Sequence, residues 1–181
     1  MAACACQTNP DHTPKPKAYH RIEFPDKAYH SLQLAVPFEF NYPVYGQMER
    51  DSSEEALNHW YDLVFKPFNA KVHLSYYRVQ NEDQLNALTE DARTFAFNHT
   101  VKATAIRQVP ISFPERAVYG LIYEIEGNTA SYLQFYLTDS TKHYLRGALY
   151  FNERPKVDSI QPVLSFLRSD IDHLIKTFNW R

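Results

Sequence analysis

The sequence predicts an α+β domain in which an antiparallel sheet, built as a meander, is packed by two helices. Three observations carry that prediction. The chain of 181 residues holds 13 Tyr and 12 Phe against only 4 Gly, and aromatic side chains suit pleated, half-buried strands. Between Ala117 and Phe151, apolar residues alternate in runs separated by short polar turns; such turns join antiparallel neighbours, because a parallel pair needs a crossover of a dozen or more residues. Two other stretches, Leu85 to Ala96 and Ile160 to Phe178, repeat apolar residues at helical spacing.

Taken in order, Phe38, Phe40 and Tyr42 alternate on one strand face. Trp60 to Lys66 and Lys71 to Val79 then form a hairpin around Pro67, Phe68 and Asn69. Asn81 offers an N-cap, and Gln84 three residues on completes a capping box. Leu85, Leu88, Ala92, Phe95 and Ala96 give the helix that follows one apolar stripe. Ala117, Tyr119, Leu121, Tyr123 and Ile125 alternate up to a turn at Gly127 and Asn128. Leu133, Phe135 and Leu137 alternate up to Asp139 and Ser140, and a third strand runs from about Lys142 to Phe151. For the last helix, Asp158 or Ser159 serves as N-cap, with Pro162 in the first turn, where a missing donor costs little. Ile160, Val163, Leu164, Leu167, Ile171, Leu174, Ile175 and Phe178 form an unbroken stripe that must lie on the sheet.

The length suits one core, with residues 18–181 as a single globular domain and residues 1–17 as an extended tether rich in proline (Pro10, Pro14, Pro16). KAYH occurs at Lys17 and again at Lys27, but the period is not sustained, so no repeat architecture follows. A formal net charge of -2 provides no electrostatic footing for nucleic acid. No apolar run is long enough to span a bilayer as a helix.

Both cysteines, Cys4 and Cys6, lie in the first six residues, so no disulfide staples the domain. Positions two apart would close a strained ring, and the further ligands that a metal needs are missing at suitable spacing. The run Ala2 to Cys4 instead fits the end of a lipoprotein signal, with Cys4, or alternatively Cys6, as the lipidated residue and the chain read as a mature form behind an added Met1.

Catalytic constellations are sparse. Asp139, Ser140 and His143 contain the three triad types, but they sit within five residues, whereas working triads draw members from separate elements. TDST there fits a turn whose side chains bond their own backbone. His73 and His143 fall on strands with no accompanying HxH or HExxH spacing. Asp170 and Asp172 point in different directions from one helix, and the four glycines form no phosphate loop. The expectation is a chain with no catalytic residue, metal or cofactor.

Several long motifs follow one another in a fixed order: PKPKAYHRIEFPDKAYH from Pro14, PFEFNYPVY from Pro37, PFNAKVHLSYY from Pro67, HTVKATAI from His99, and the stretch from Gln134 to Trp180 beginning QFYLTDSTKHYLRGALYF. Together they resemble the gliding-motility-associated lipoproteins (GldD) of the phylum Bacteroidota across nearly the whole chain after the first dozen residues. The resemblance implies a role in surface gliding and its associated type IX secretion, a lipid anchor, and other envelope proteins of that machinery as partners. Without an acidic cluster after Cys4, the periplasmic face of the outer membrane is the expected location. The order of elements also resembles the PsbP-like α/β/α sandwich, an analogy of architecture alone.

Two functional readings follow. The first is a non-catalytic outer-membrane lipoprotein that docks onto envelope proteins, with Tyr19, His20, Arg21 and Tyr29 of the AYHRIEFPDKAYH segment and the strand residues Tyr76, Tyr136 and Tyr144 as contact candidates, since Tyr suits partly wet interfaces. The alternative is a small-molecule or lipid-binding module, or a cryptic hydrolase, with a pocket lined by tyrosines.

Overall fold

The computed structural model describes residues 22–98, 103–152 and 157–181, the last segment with side chains from Ile160 onward. Chain order runs through β1 (Tyr29–Ser31), β2 (Phe38–Glu39), β3 (Asn41–Pro43), β4 (Gln47–Arg50), β5 (Tyr61–Phe65), β6 (Ala70–Arg78), α1 (Glu82–Phe97), β7 (Ala103–Phe113), β8 (Val118–Gly127), β9 (Ser131–Thr138), β10 (His143–Phe151), α2 (Val157–Thr177) and β11 (Asn179–Trp180). Seven strands form one sheet in the order β4-β5-β6-β10-β9-β8-β7, every pair antiparallel. Two meanders are thus fused: α1 carries the chain from β6 to the far edge at β7, and β7 to β10 step back until β10 closes against β6.

Alternation along each strand decides which helix lies on which face. Leu63, Phe65, Val72, Leu74, Ile122, Leu133, Phe135, Leu137, Leu145 and Leu149 point to one face and are buried with Val163, Leu167, Ile171, Leu174 and Ile175 of α2. Tyr123, Ile125, Tyr136 and Tyr144 point to the other, beneath Ala92 and Ala96 of α1. The result is a three-layer α/β/α sandwich. At Gly147 a methyl group would lie 2.2 Å from the Phe135 ring, its cross-strand neighbour, so the glycine is the space into which that ring packs.

Local chemistry explains the helix ends. Asn81 accepts the Gln84 amide through its side chain, while the Gln84 carboxamide oxygen accepts the backbone amide of Gln80, a capping box displaced outward by one residue. Phe95 departs from the expected stripe: it is 48% exposed and lies beneath the Arg146 guanidinium. The last helix also starts earlier than expected. It begins at Val157 with Pro162 in its interior rather than in its first turn, which costs one backbone hydrogen bond near an end, where few carbonyls depend on it. Its other end is capped from outside the helix, where Arg116 donates to the carbonyls of Lys176 and Phe178 at 2.7 and 2.9 Å.

The run Phe38 to Tyr42 is split into two short strands because its halves pair differently, β2 with β11 and β3 with β1. The hairpin β5–β6 and the hairpin β7–β8 turn in the same way, through one 3-10 turn (Lys66–Phe68, Pro114–Arg116) and one left-handed residue, Asn69 (φ 48) or Ala117 (φ 49). Ala117 therefore belongs to a turn and not to the strand that was expected to include it. The edge strand β7, eleven residues long, was not anticipated; Pro110 interrupts its pattern, and an edge tolerates the missing donor.

Candidate functional site

A cleft of 640 Å³ opens where the segment 35–37 and the loop carrying Leu57 to His59 approach the end of β6 at Tyr76 to Arg78 and the first turn of α1 at Gln84. Each wall has a local cause. Tyr76 forms the floor, buried on the α2 face beside Phe38, and its hydroxyl lies 2.8 Å from Nδ1 of His143. Burial pushes the Tyr76 hydroxyl above its ordinary value. Burial likewise holds His143 below the ordinary imidazole value, helped by Arg78 and Lys142 and opposed by Asp139. The Tyr76 hydroxyl and Nδ1 share one hydrogen bond, and the Trp180 ring stacks on the imidazole at 5.2 Å. His59 stands at the lip with a left-handed backbone, φ 69, and meets the Tyr76 ring in a T-shaped contact at 5.8 Å. Trp60 next to it donates from its indole to the Tyr76 carbonyl. Leu57 is 52% exposed on the rim.

The Asp139–Ser140–His143 group is a turn. One Asp139 oxygen accepts the backbone amides of Thr141, Lys142 and His143, and the other accepts the Thr141 hydroxyl. Burial works to raise the Asp139 carboxyl, but these bonds outweigh it and leave the group below the usual carboxylate value. Ser140 holds a left-handed φ of 66, and its amide donates to Thr138 Oγ1. His143 gives its ring to Tyr76, so no relay runs from serine to imidazole to acid.

Two polar clusters were not singled out from sequence. Asp62 on β5 accepts His73 Nδ1 at 2.8 Å and Lys71 Nζ at 2.6 Å from β6, with Trp60 edge-on to the imidazole. Burial raises Asp62, and its hydrogen bonds with His73 and Lys71, with the Lys71 charge, bring it below its ordinary value. Only the alternation of Lys71 and His73 on one strand face signals that meeting. Asp170, 1% exposed, accepts Lys27 at 2.7 Å, Tyr29 at 3.0 Å and Tyr45 at 2.6 Å; its signal is a carboxylate inside the apolar stripe of the last helix. Lys27 also lies 3.3 Å above the Phe166 ring, and Tyr29 stacks on His173 at 3.7 Å.

The contact candidates fare differently. Tyr19, His20, Arg21, Cys4 and Cys6 lie outside the described residues. Tyr29 is half-buried, bound to α2 through Asp170. Tyr76, Tyr136 and Tyr144, contact candidates from the sequence, are buried, at 6%, 9% and 1% exposure. For Tyr136 and Tyr144 the cause is the alanine face of α1, which leaves depth that long side chains fill, whereas Tyr76 is buried on the α2 face. Tyr136 stacks on Tyr144, whose hydroxyl donates to the Leu88 carbonyl of α1. Tyr76 contributes to the cleft as its floor. Among the described residues, no three His, Cys, Asp or Glu side chains are grouped to hold a metal ion, and no helix is long and apolar enough to cross a membrane.

Comparison with known proteins places the architecture. The chain is similar to the solution structure of cyanobacterial PsbP (CyanoP) from Synechocystis sp. PCC 6803, at a TM-score of 0.51 and 11% identity, over 87% of this chain and 95% of that one. That likeness concerns the fold alone. No curated protein matches the chain. A family model described as gliding motility lipoprotein GldD matches residues 9–180, a span that takes in every element described above. The chain therefore belongs to the GldD family of gliding motility lipoproteins.

Proposed function

We propose that this protein is a non-catalytic accessory lipoprotein of gliding motility that acts by docking its folded domain onto other envelope proteins, including those of type IX secretion. Lipid on Cys4, or alternatively on Cys6, holds the domain at the periplasmic face of the outer membrane through the tether of residues 1–17. Anchoring of this kind raises the local concentration of the domain near its partners.

The observation that carries the reading is how the acidic groups nearest to histidines, lysines and tyrosines are used. Asp139 is consumed by its own turn, and Asp170 ties the segment of Lys27 and Tyr29 to α2. Asp62 joins two strands through Lys71 and His73. Each carboxylate serves the fold, and none stands over a cleft with a nucleophile beside it.

Cells whose only copy carries Cys4→Ser test the anchored reading. The expected outcome is a domain that accumulates, leaves the membrane fraction and fails to support gliding. Full motility from a released domain would refute an anchored docking role, and a variant still bound to membrane would move the anchor to Cys6.

A further inference from the structure

We infer that the cleft beneath His59 receives an extended segment of a partner protein that presents a carboxylate beside an apolar or aromatic side chain. The inference rests on the docking reading and adds to it a place and a chemistry.

Charge selects the carboxylate. Among the residues lining the cleft none is acidic, and those that can carry charge are Arg78 and His59. Arg78 is exposed, and no carboxylate among the described residues forms an ion pair with it. The same lack of an ion pair holds for Arg50 and Arg146, which do not line the cleft, whereas Arg107, Arg116, Arg168 and Arg181 are each paired. Two acids outside the lining act on its tyrosines: Asp139, which already accepts four hydrogen bonds, on Tyr76, and Asp91 on Tyr77. A guanidinium left at the rim of a half-sheltered cleft is a fork for a carboxylate, worth more there than in open water.

Shape selects the apolar neighbour. Leu57, Val36 and the two tyrosine rings Tyr76 and Tyr77 form the walls and floor, and Leu57 stays half uncovered. The Tyr76 hydroxyl is occupied by His143, so its ring, not its polar end, is what a ligand meets. The left-handed backbone of His59 places its ring against Tyr76. Strain of this sort concentrates where a binding surface is held in one shape. A 640 Å³ opening accommodates one large side chain with its flanking backbone.

Two arms test this. In the first, the purified full chain selects from a displayed library of random twelve-residue peptides. The expected result is enrichment of sequences with Asp or Glu next to Phe, Tyr, Trp or Leu, whose affinity falls about tenfold or more in Arg78→Gln, the loss of one charge-assisted hydrogen bond. Arg93→Gln, on the exposed face of α1, leaves it unchanged. Absence of enrichment, basic consensus sequences, or indifference to Arg78→Gln would overturn the inference. In the second arm, gliding cells carry a photocrosslinking residue at Leu57 or at Glu126 on β8, three strands away from β6. A protein adduct from Leu57 that Arg78→Gln abolishes supports the cleft. Adducts from Glu126 without any from Leu57 would refute the cleft and leave docking intact, and adducts from neither would refute both.

Discussion

Asp170 is the charged side chain among the buried polar groups of the described residues, and it accepts three hydrogen bonds from a lysine and two tyrosines. Asp170→Asn keeps the shape, removes the charge and leaves Lys27 facing a neutral amide. We expect a loss of about 3 kcal/mol in urea unfolding, the scale for breaking one side of a buried pair; a change below about 1 kcal/mol would mean that the network is not formed. Protons report on the same groups. Burial, then the Asp170 hydrogen bond and charge, pushes Tyr29 from 10.0 up to about 12. The unfolded phenol ionises first, so stability falls as pH rises through that window. Burial lowers His143 from 6.5, so the unfolded imidazole takes up a proton before the folded one does, and stability also falls as pH drops below 6.5. The urea midpoint should therefore fall below pH 6.5 and, once the lowered Lys27 no longer opposes it above pH 10.5, fall again as Tyr29 and the other buried tyrosines ionise first in the unfolded chain; a midpoint still rising above pH 10.5 would contradict the burial of these tyrosines. At this scale the sequence was legible where side chains bond their own neighbourhood, as Asp139 does with its turn. It was not legible for Asp62 and Asp170, whose partners come from other elements, nor for Tyr136 and Tyr144, whose burial depends on α1 presenting alanine.

Elements with strong periodicity were readable for a plain physical reason: one face of each is buried. The stripe from Val163 to Phe178 lies on the sheet as its spacing demands, and the alternation through β8, β9 and β10 sorts leucine from tyrosine across the two faces. β7 escaped because an edge strand with Pro110 at its centre buries little: only Ile111 of its eleven residues is fully covered. The paired turns supply a test. Ala117 sits at φ 49 and ψ 45, a conformation that penalises an L side chain by about 1–2 kcal/mol and suits glycine. Ala117→Gly should raise stability by roughly 0.5–1 kcal/mol, offset in part by glycine's greater freedom when unfolded. The same change at Asn69, a residue type that tolerates this region, should be smaller, and a differential scanning calorimetry comparison of the two variants checks the difference. Equal or reversed effects would show that these turns do not hold the conformation described.

The whole molecule joins two meanders through one crossing helix, so that β6 and β10, whose partners run from Arg78 with His143 to Ala70 with Phe151, form the central seam. Composition and turn lengths spoke for the meanders separately, and the three-layer sandwich followed from having two amphipathic helices and one sheet with two apolar faces. What composition could not supply was the seam itself, nor the cleft, which exists because the N-terminal segment and the loop before β5 cross the end of β6. Asp62, Asp139 and Asp170 are bound within the fold, which supports the proposal that this body works by contact. The most direct measurement is the gliding speed of cells whose only copy carries Ser140→Ala and His73→Gln together, at matched protein abundance and thermal stability. These changes remove the hydroxyl of the Asp139 turn and the imidazole bound to Asp62, and leave both the floor of the cleft and its Arg78 rim unaltered. Movement at the parental speed is the predicted result. Loss of movement by a folded, membrane-bound variant would mean that the protein performs chemistry.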